Sequence, residues 1–216
     1  MTIFMMLKLL FGGLGLSALV FFVTLIFSLP LGLILCFGRM SKNFIIRNVT
    51  KFYISVMRGT PLMLQLFVVF FGPYYLFGMR MGSSYRIPAV LIGFVINYAA
   101  YFAEIYRGGI ESIPVGQYEA AKMLGYNRVQ TFVRIIFPQV VKRITPSVTN
   151  EVITLVKDTS LAFVLSVLEM FTIAKQIAAA ETSMLPYFLA GAIYYIVNFV
   201  IAIVSEKIEK KMSFYK

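Results

Sequence analysis

Few side chains in this sequence are equipped for chemistry. It contains no histidine and one cysteine, Cys36, inside an apolar run. The commonest general base and metal ligand are therefore missing, and so are the makings of a disulfide framework or a Cys-rich metal site. What remains is a handful of polar groups embedded in hydrophobic sequence: Asn97, Tyr101, Glu104, Glu151, Thr154, Lys157, Asp158, Thr159 and Ser160. A charge at mid-bilayer costs about 2.5–3.5 kcal/mol on insertion scales, so each such group needs a compensating role. Asn97, Tyr101 and Glu104 are spaced i, i+4, i+7 and share one helical face; Glu151, Thr154 and Asp158 form a second stripe. Lys157 lies about 100° round the helix from Asp158, so the two do not pair side by side. A pathway lined this way offers carboxylates to an ammonium, and Lys157 or helix-end N–H groups to a carboxylate. The structural alternative binds Glu104 and Glu151 to Arg107 or other loop cations near the membrane surface. Gln65 and Asn198 read as interhelical hydrogen bonds.

The elements that must carry these groups are membrane spans. Hydrophobic residues make up 60% of the 216 positions and charged ones 13%, against about 45–50% and about 25% in soluble domains. Runs of roughly 20 apolar residues mark bilayer-crossing helices. Five are expected, at about 14–37, 61–77, 87–106, 151–168 and 185–205, in one all-α integral membrane domain over 1–216. The first is too long for a signal-peptide core and reads as retained, with a kink at Pro30. Pro61 opens the second. Between them, 39–55 alternates Phe44, Ile45, Val49, Phe52 and Tyr53 with Lys and Arg, as an interfacial amphipathic helix does; a disordered basic loop is the alternative.

The formal charge of +11 sits beside the spans and does not form a basic domain, so it indicates topology and not nucleic acid. With the loops after the first and third spans and the C-terminus placed in the cytoplasm, 15 of the 20 Lys and Arg fall on that side. The N-terminus is then outside.

The longest polar stretch, 107–150, is predicted to fold as short helices. Pro114 opens one, Glu119 to Leu124 are good helix formers, and Gly125 ends it. A second is expected over 129–137, ending at Pro138. Such a unit cannot bury its own apolar face and should pack on a partner.

Glu119-Ala120-Ala121, then Gly125, Ile135 and Phe137-Pro138, resembles the EAA loop of ABC-importer permeases, with Phe137 where the family usually has Leu. Arg58-Gly59-Thr60-Pro61-Leu62, the stretch from Ala103 through Gln117, and Lys157-Asp158-Thr159-Ser160-Leu161 resemble the polar amino-acid branch. The resemblance runs from the first span to Glu209. It implies a type I importer permease, without covalent chemistry of its own, in the bacterial inner (cytoplasmic) membrane. It pairs with a second permease, as a homo- or heterodimer, and receives a polar amino acid from an extracytoplasmic binding protein. The loop's first short helix would dock on an ATP-binding-cassette ATPase subunit through Glu119, Ala120, Ala121, Gly125, Ile135 and Pro138. Ala120 and Ala121 allow close approach, and Gly125 permits a positive φ. No phosphate-binding loop occurs in the sequence, so ATP and Mg belong to the partner, and no cofactor or metal is expected on this chain. A secondary transporter, an intramembrane enzyme or a scaffold fits less well: no inverted repeat is evident, and neither is a set of convergent catalytic groups.

Overall fold

A computed structural model describes residues 1–212. Its helices are α1 (Ile3–Arg39), α2 (Phe44–Gly59), α3 (Leu62–Phe77), α4 (Arg86–Glu111), α5 (Val115–Met123), α6 (Arg128–Gln130), α7 (Phe137–Asp158), α8 (Met170–Glu181) and α9 (Leu185–Met212). Among the described residues three helices cross a membrane unbroken by length and composition: α1, α4 with the 3₁₀ turn before it, and α9. Two more crossings are bent pairs, α2 with α3 at 113° and the run 128–165 with α8 at 59°. Five crossings are reached only when each bent pair counts as one.

The long α1 lies along α8 at Gly13 and Ser17 and along α4 further on, because its inward stripe is small: Gly13, Ser17, Val20, Thr24, Ser28 and Gly32. At Gly32 a Cβ would stand 2.8 Å from the Cβ of Phe102, so only glycine permits this approach. Helix α1 continues through Pro30 as one helix. The core between α1, α3, α4 and α7 is built from Val20, Leu66, Val90, Phe94, Tyr98, Phe102 and Leu155.

The helix bounds differ from the sequence expectations at the start of α1, which begins at Ile3 and not at 14, and at both broken spans. Pro61 is the N-cap of α3 and not its first residue, because the chain turns sharply at Gly59 and Thr60. The helix that carries the fourth crossing begins at Phe137, well before 151, since Pro138 does not end the preceding helix. Residues Thr131–Ile136 form a π turn, and Pro138 follows in the first turn of α7. The widened turn accommodates a residue that lacks an N–H and would crowd the carbonyl four back. At its other end α7 tightens into a 3₁₀ segment, Thr159–Leu165, closed by Ser166 at φ 56°.

The break before α8 is held by Glu169, fully buried. Its carboxylate accepts from the N–H of Phe171 and Thr172 (2.7 and 2.6 Å), from the Thr172 hydroxyl (2.8 Å) and from the Tyr194 hydroxyl on α9 (3.3 Å). The N–H of Met170 turns to Ser17 on α1. Three helices are thereby fastened at one point.

Candidate functional site

The bend between α2 and α3 strands carbonyl groups in the membrane, where water cannot satisfy them. Gln65 and Asn97 supply the donors. Gln65 Nε2 donates to the carbonyls of Met57 (2.9 Å) and Thr60 (3.1 Å). Asn97 Nδ2 donates to Met57 O (3.1 Å) and to Gln65 Oε1 (2.8 Å). The first turn of α3 thus faces α4 and α7 across a cavity of about 340 Å³.

One wall of the cavity is Thr60, Pro61 and Leu62; the others are Asn97, Tyr98 and Tyr101 of α4, and Glu151, Thr154 and Asp158 of α7, with Leu161 beyond. Of the nine polar groups picked out from sequence, Asn97, Tyr101, Glu151, Thr154 and Asp158 meet here. The other four lie elsewhere. Glu104 is held by Arg107 at 2.6 Å, with Arg39 and Arg58 each at 3.9 Å, so its charge is answered within the chain. The hydroxyls of Thr159 and Ser160 bond back to the carbonyls of Val156 and Lys157. Lys157 is exposed, turned out of the cavity.

Tyr98 and Arg58 were not among the sequence candidates. The buried Tyr98 hydroxyl donates to Asp158 Oδ2 at 2.7 Å and fixes that carboxylate. Arg58 lies over the Tyr101 ring, 5.4 Å from its centroid. Tyr98 precedes Tyr101 by three residues, a helical neighbour spacing that could have drawn attention to it. The interhelical role read for Gln65 matches its bond to Asn97.

At the far end of α4 the chain forms a ledge. Helix α5 starts after Pro114 and stops in a double hydrogen bond, Gly125 N to Lys122 O and Tyr126 N to Ala121 O. This end requires a left-handed residue after the cap, and Gly125 has φ 78°. A Cβ at Gly125 would meet nothing of its own chain. Asn127 and Gln130 then form a reciprocal cap for α6. The ledge displays Met123 (90% exposed), Leu124 (74%), Val129 and Val115. Glu119, Ala120 and Pro138 are exposed and Ile135 is half-buried, whereas Ala121 is buried against its own chain. Ala120 alone of the two alanines is therefore open to a partner. Burial raises the Tyr118 phenol above its ordinary range.

Broken half-spans that open on a polar cavity, above a helical ledge with an unburied apolar face, define a membrane transport subunit. Residues 28–214 match the family described as the inner membrane component of binding-protein-dependent transport systems, and the chain belongs to it. The octopine transport system permease protein OccM of Rhizobium radiobacter is 39% identical over 82% of this chain and 76% of its own length. The L-cystine transport system permease protein TcyB of Bacillus subtilis is 36% identical over 94% of this chain and 86% of its own. A crystal structure of an amino acid ABC transporter with histidines superposes with a TM-score of 0.86 at 30% identity, covering 98% of this chain and 100% of that one. The MetNI methionine transporter, inward facing, shares the fold alone, with TM-score 0.75 at 17% identity over 98% and 99% of the two chains. This protein is a multi-pass permease of the amino-acid ABC importer family.

Proposed function

We propose that the cavity is where a polar α-amino acid crosses, and that the α5 ledge couples the crossing to ATP hydrolysed by a separate subunit. The carrying observation is the cavity's two-sided polarity. On one side stands the first turn of α3, where the N–H groups of Leu62 and Met63, next after the Pro61 cap, precede the first bonded N–H at Leu64 and suit a carboxylate. On the other stand Glu151 and Asp158, which suit an ammonium. A zwitterion satisfies both walls, and a substrate of one sign does not.

Helix α5 and its Gly125 turn dock on an ATP-binding-cassette ATPase, which holds ATP and Mg. Exposed Met123, Leu124 and Val129 around an otherwise polar ledge support this, as does the empty space beside Gly125. A second permease, a copy or a relative, covers the polar outer face of α7, where Asn150 and Lys157 are exposed. Docking at the ledge sets it in the cytoplasm, the N-terminus outside, and the chain in a bacterial cytoplasmic membrane. An extracytoplasmic binding protein delivers the amino acid.

Gly125→Asp tests the coupling role: its Cβ would meet nothing of its own chain, and Gly125→Asn, equally tolerant of φ 78° but uncharged, controls for strain in the turn. The Gly125→Asp variant should insert into the membrane at the wild-type level while uptake is abolished and the ATPase fails to copurify. Full uptake with a stable complex would overturn the assignment. For the cavity, Asp158→Asn should raise half-saturating substrate at least about tenfold, one ion contact's worth; unchanged uptake kinetics would remove Asp158 from the pathway.

A further inference from the structure

Helix α4 carries Arg86 at one end and Arg107 near the other. The 21 residue steps from one to the other rise about 31 Å, which is the thickness of a hydrocarbon core. The two arginines therefore mark the two membrane surfaces, and the loop before Arg86 stands clear of the lipid on the side opposite the α5 ledge.

This loop is held at both ends and free in the middle. Gly78, at φ 68°, ends α3 with the N–H of Met79 bonded to Pro73 O. Tyr85 stacks on Phe70 at 6.1 Å and its hydroxyl reaches Val69 O. Between these anchors every residue from 74 to 84 is exposed. Tyr74, Tyr75 and Phe77 fall at the end of the span, where aromatic side chains settle at the headgroup level. Beyond them Met79 and Met81 flank Arg80, at 53% and 36% exposure. Methionine is the side chain most adaptable to a partner's contour.

The loop's charge has one sign. No acidic residue occurs from 61 to 103, and among the described residues neither Arg80 nor Arg86 has an ion pair. Elsewhere on this side Lys8 and Lys175 add positive charge. Glu181 is taken by the N-terminal amino group at 2.8 Å, and Glu169 is buried.

We propose that the Met79-Arg80-Met81 loop, with Arg86, docks the extracytoplasmic amino-acid-binding protein through an acidic rim on that protein. The inference rests on the importer reading above, which supplies the partner. A protein is favoured over anionic lipid because Arg80 lies on the far side of Arg86 from the bilayer. Rim charges of this kind set approach and register, so their effect falls with salt.

The permease–ATPase complex is reconstituted in zwitterionic lipid and titrated with a purified amino-acid-binding protein from the same organism that stimulates its ATPase. Arg80→Glu with Arg86→Glu should raise the half-stimulating concentration about tenfold or more at low salt. Maximal ATPase should be unchanged, and the gap should narrow as salt is added. Arg80→Gln with Arg86→Gln should fall between, which separates charge from misfolding. Identical titrations for all three would overturn the proposal. So would a shift that appears only when anionic lipid is present, since that would make a headgroup the occupant. If no such binding protein stimulates the wild type, the importer reading fails and the proposal falls with it.

Discussion

The break between α2 and α3 and the break between α7 and α8 both strand backbone groups inside the membrane, and opposite chemistry mends them. At the first, carbonyls at the end of α2 are left over, and the neutral amides of Gln65 and Asn97 donate to them. At the second, N–H groups at the start of α8 are left over, and the carboxylate of Glu169 accepts them. The signs follow the helix dipole, positive at a leading end. The settings differ as well. The first break lines the polar cavity, whereas Glu169 is wholly enclosed among α1, α8 and α9. The break beside the cavity is closed with uncharged amide bonds, and the enclosed one with a buried carboxyl group.

If that contrast holds, the largest loss of stability belongs to Glu169→Ala. It deletes a helix cap and leaves buried donors on Phe171, Thr172 and Tyr194 without an acceptor, a cost of about 3 kcal/mol or more. The detergent-solubilised variant should melt several degrees below wild type. Glu169→Gln should recover only part of this, because its amide nitrogen would face donors. A wild-type melting temperature for Glu169→Ala would show that the second break is not pinned there.

The first break was legible in part, as an interfacial helix over 39–55 followed by a span opened at Pro61, and the second was not. The sequence signals that worked were local: apolar run length for α1, α4 and α9, and Pro114 with Gly125 for the bounds of α5. Pro61 and Pro138 were misleading in different ways. The first marks a sharp turn that run length cannot reveal. The second is absorbed by a π turn, which depends on the carbonyl geometry of the preceding residues and not on residue type. Stripe spacing put Asn97, Tyr101, Glu151 and Asp158 on faces that meet at one cavity, since one helix face is set by the 3.6-residue period. For Glu104 the structural alternative holds: Arg107, three residues on, pairs with it, and Arg39 of α1 and Arg58 of α2 join them only in the folded chain. Glu169 was not among the candidates although three of its four bonds are local, to Phe171 and Thr172; only Tyr194, 25 residues on, is remote.

A middle-sized effect should come from the first break. Gln65→Leu and Asn97→Leu each leave the carbonyl of Met57 one donor short, and they share a bond of 2.8 Å. In membranes such interhelical bonds are worth about 0.6 kcal/mol on average and about 1.7 at most. The two substitutions should therefore each cost less than Glu169→Ala, and a double-mutant cycle should return a coupling within that range. Additive losses would mean that the two amides act separately and that the bend is held by packing alone.

The smallest effect on stability, and the most telling for the cavity, is expected from Tyr98→Phe. The ring stays, stacked in the core beside Phe94 at 6.4 Å, and only the hydroxyl's bond to Asp158 is lost. Stability should change by less than about 1.5 kcal/mol, a single hydrogen bond's net worth. Asp158 would then be free to rotate, so half-saturating substrate should rise a few-fold while the maximal uptake rate is retained. Tyr98→Phe and Asp158→Asn combined should be no worse than Asp158→Asn alone, because the hydroxyl acts through that carboxylate. A further loss in the combination would mean that the Tyr98 hydroxyl meets the substrate itself, and the open break would then have a third polar wall on α4.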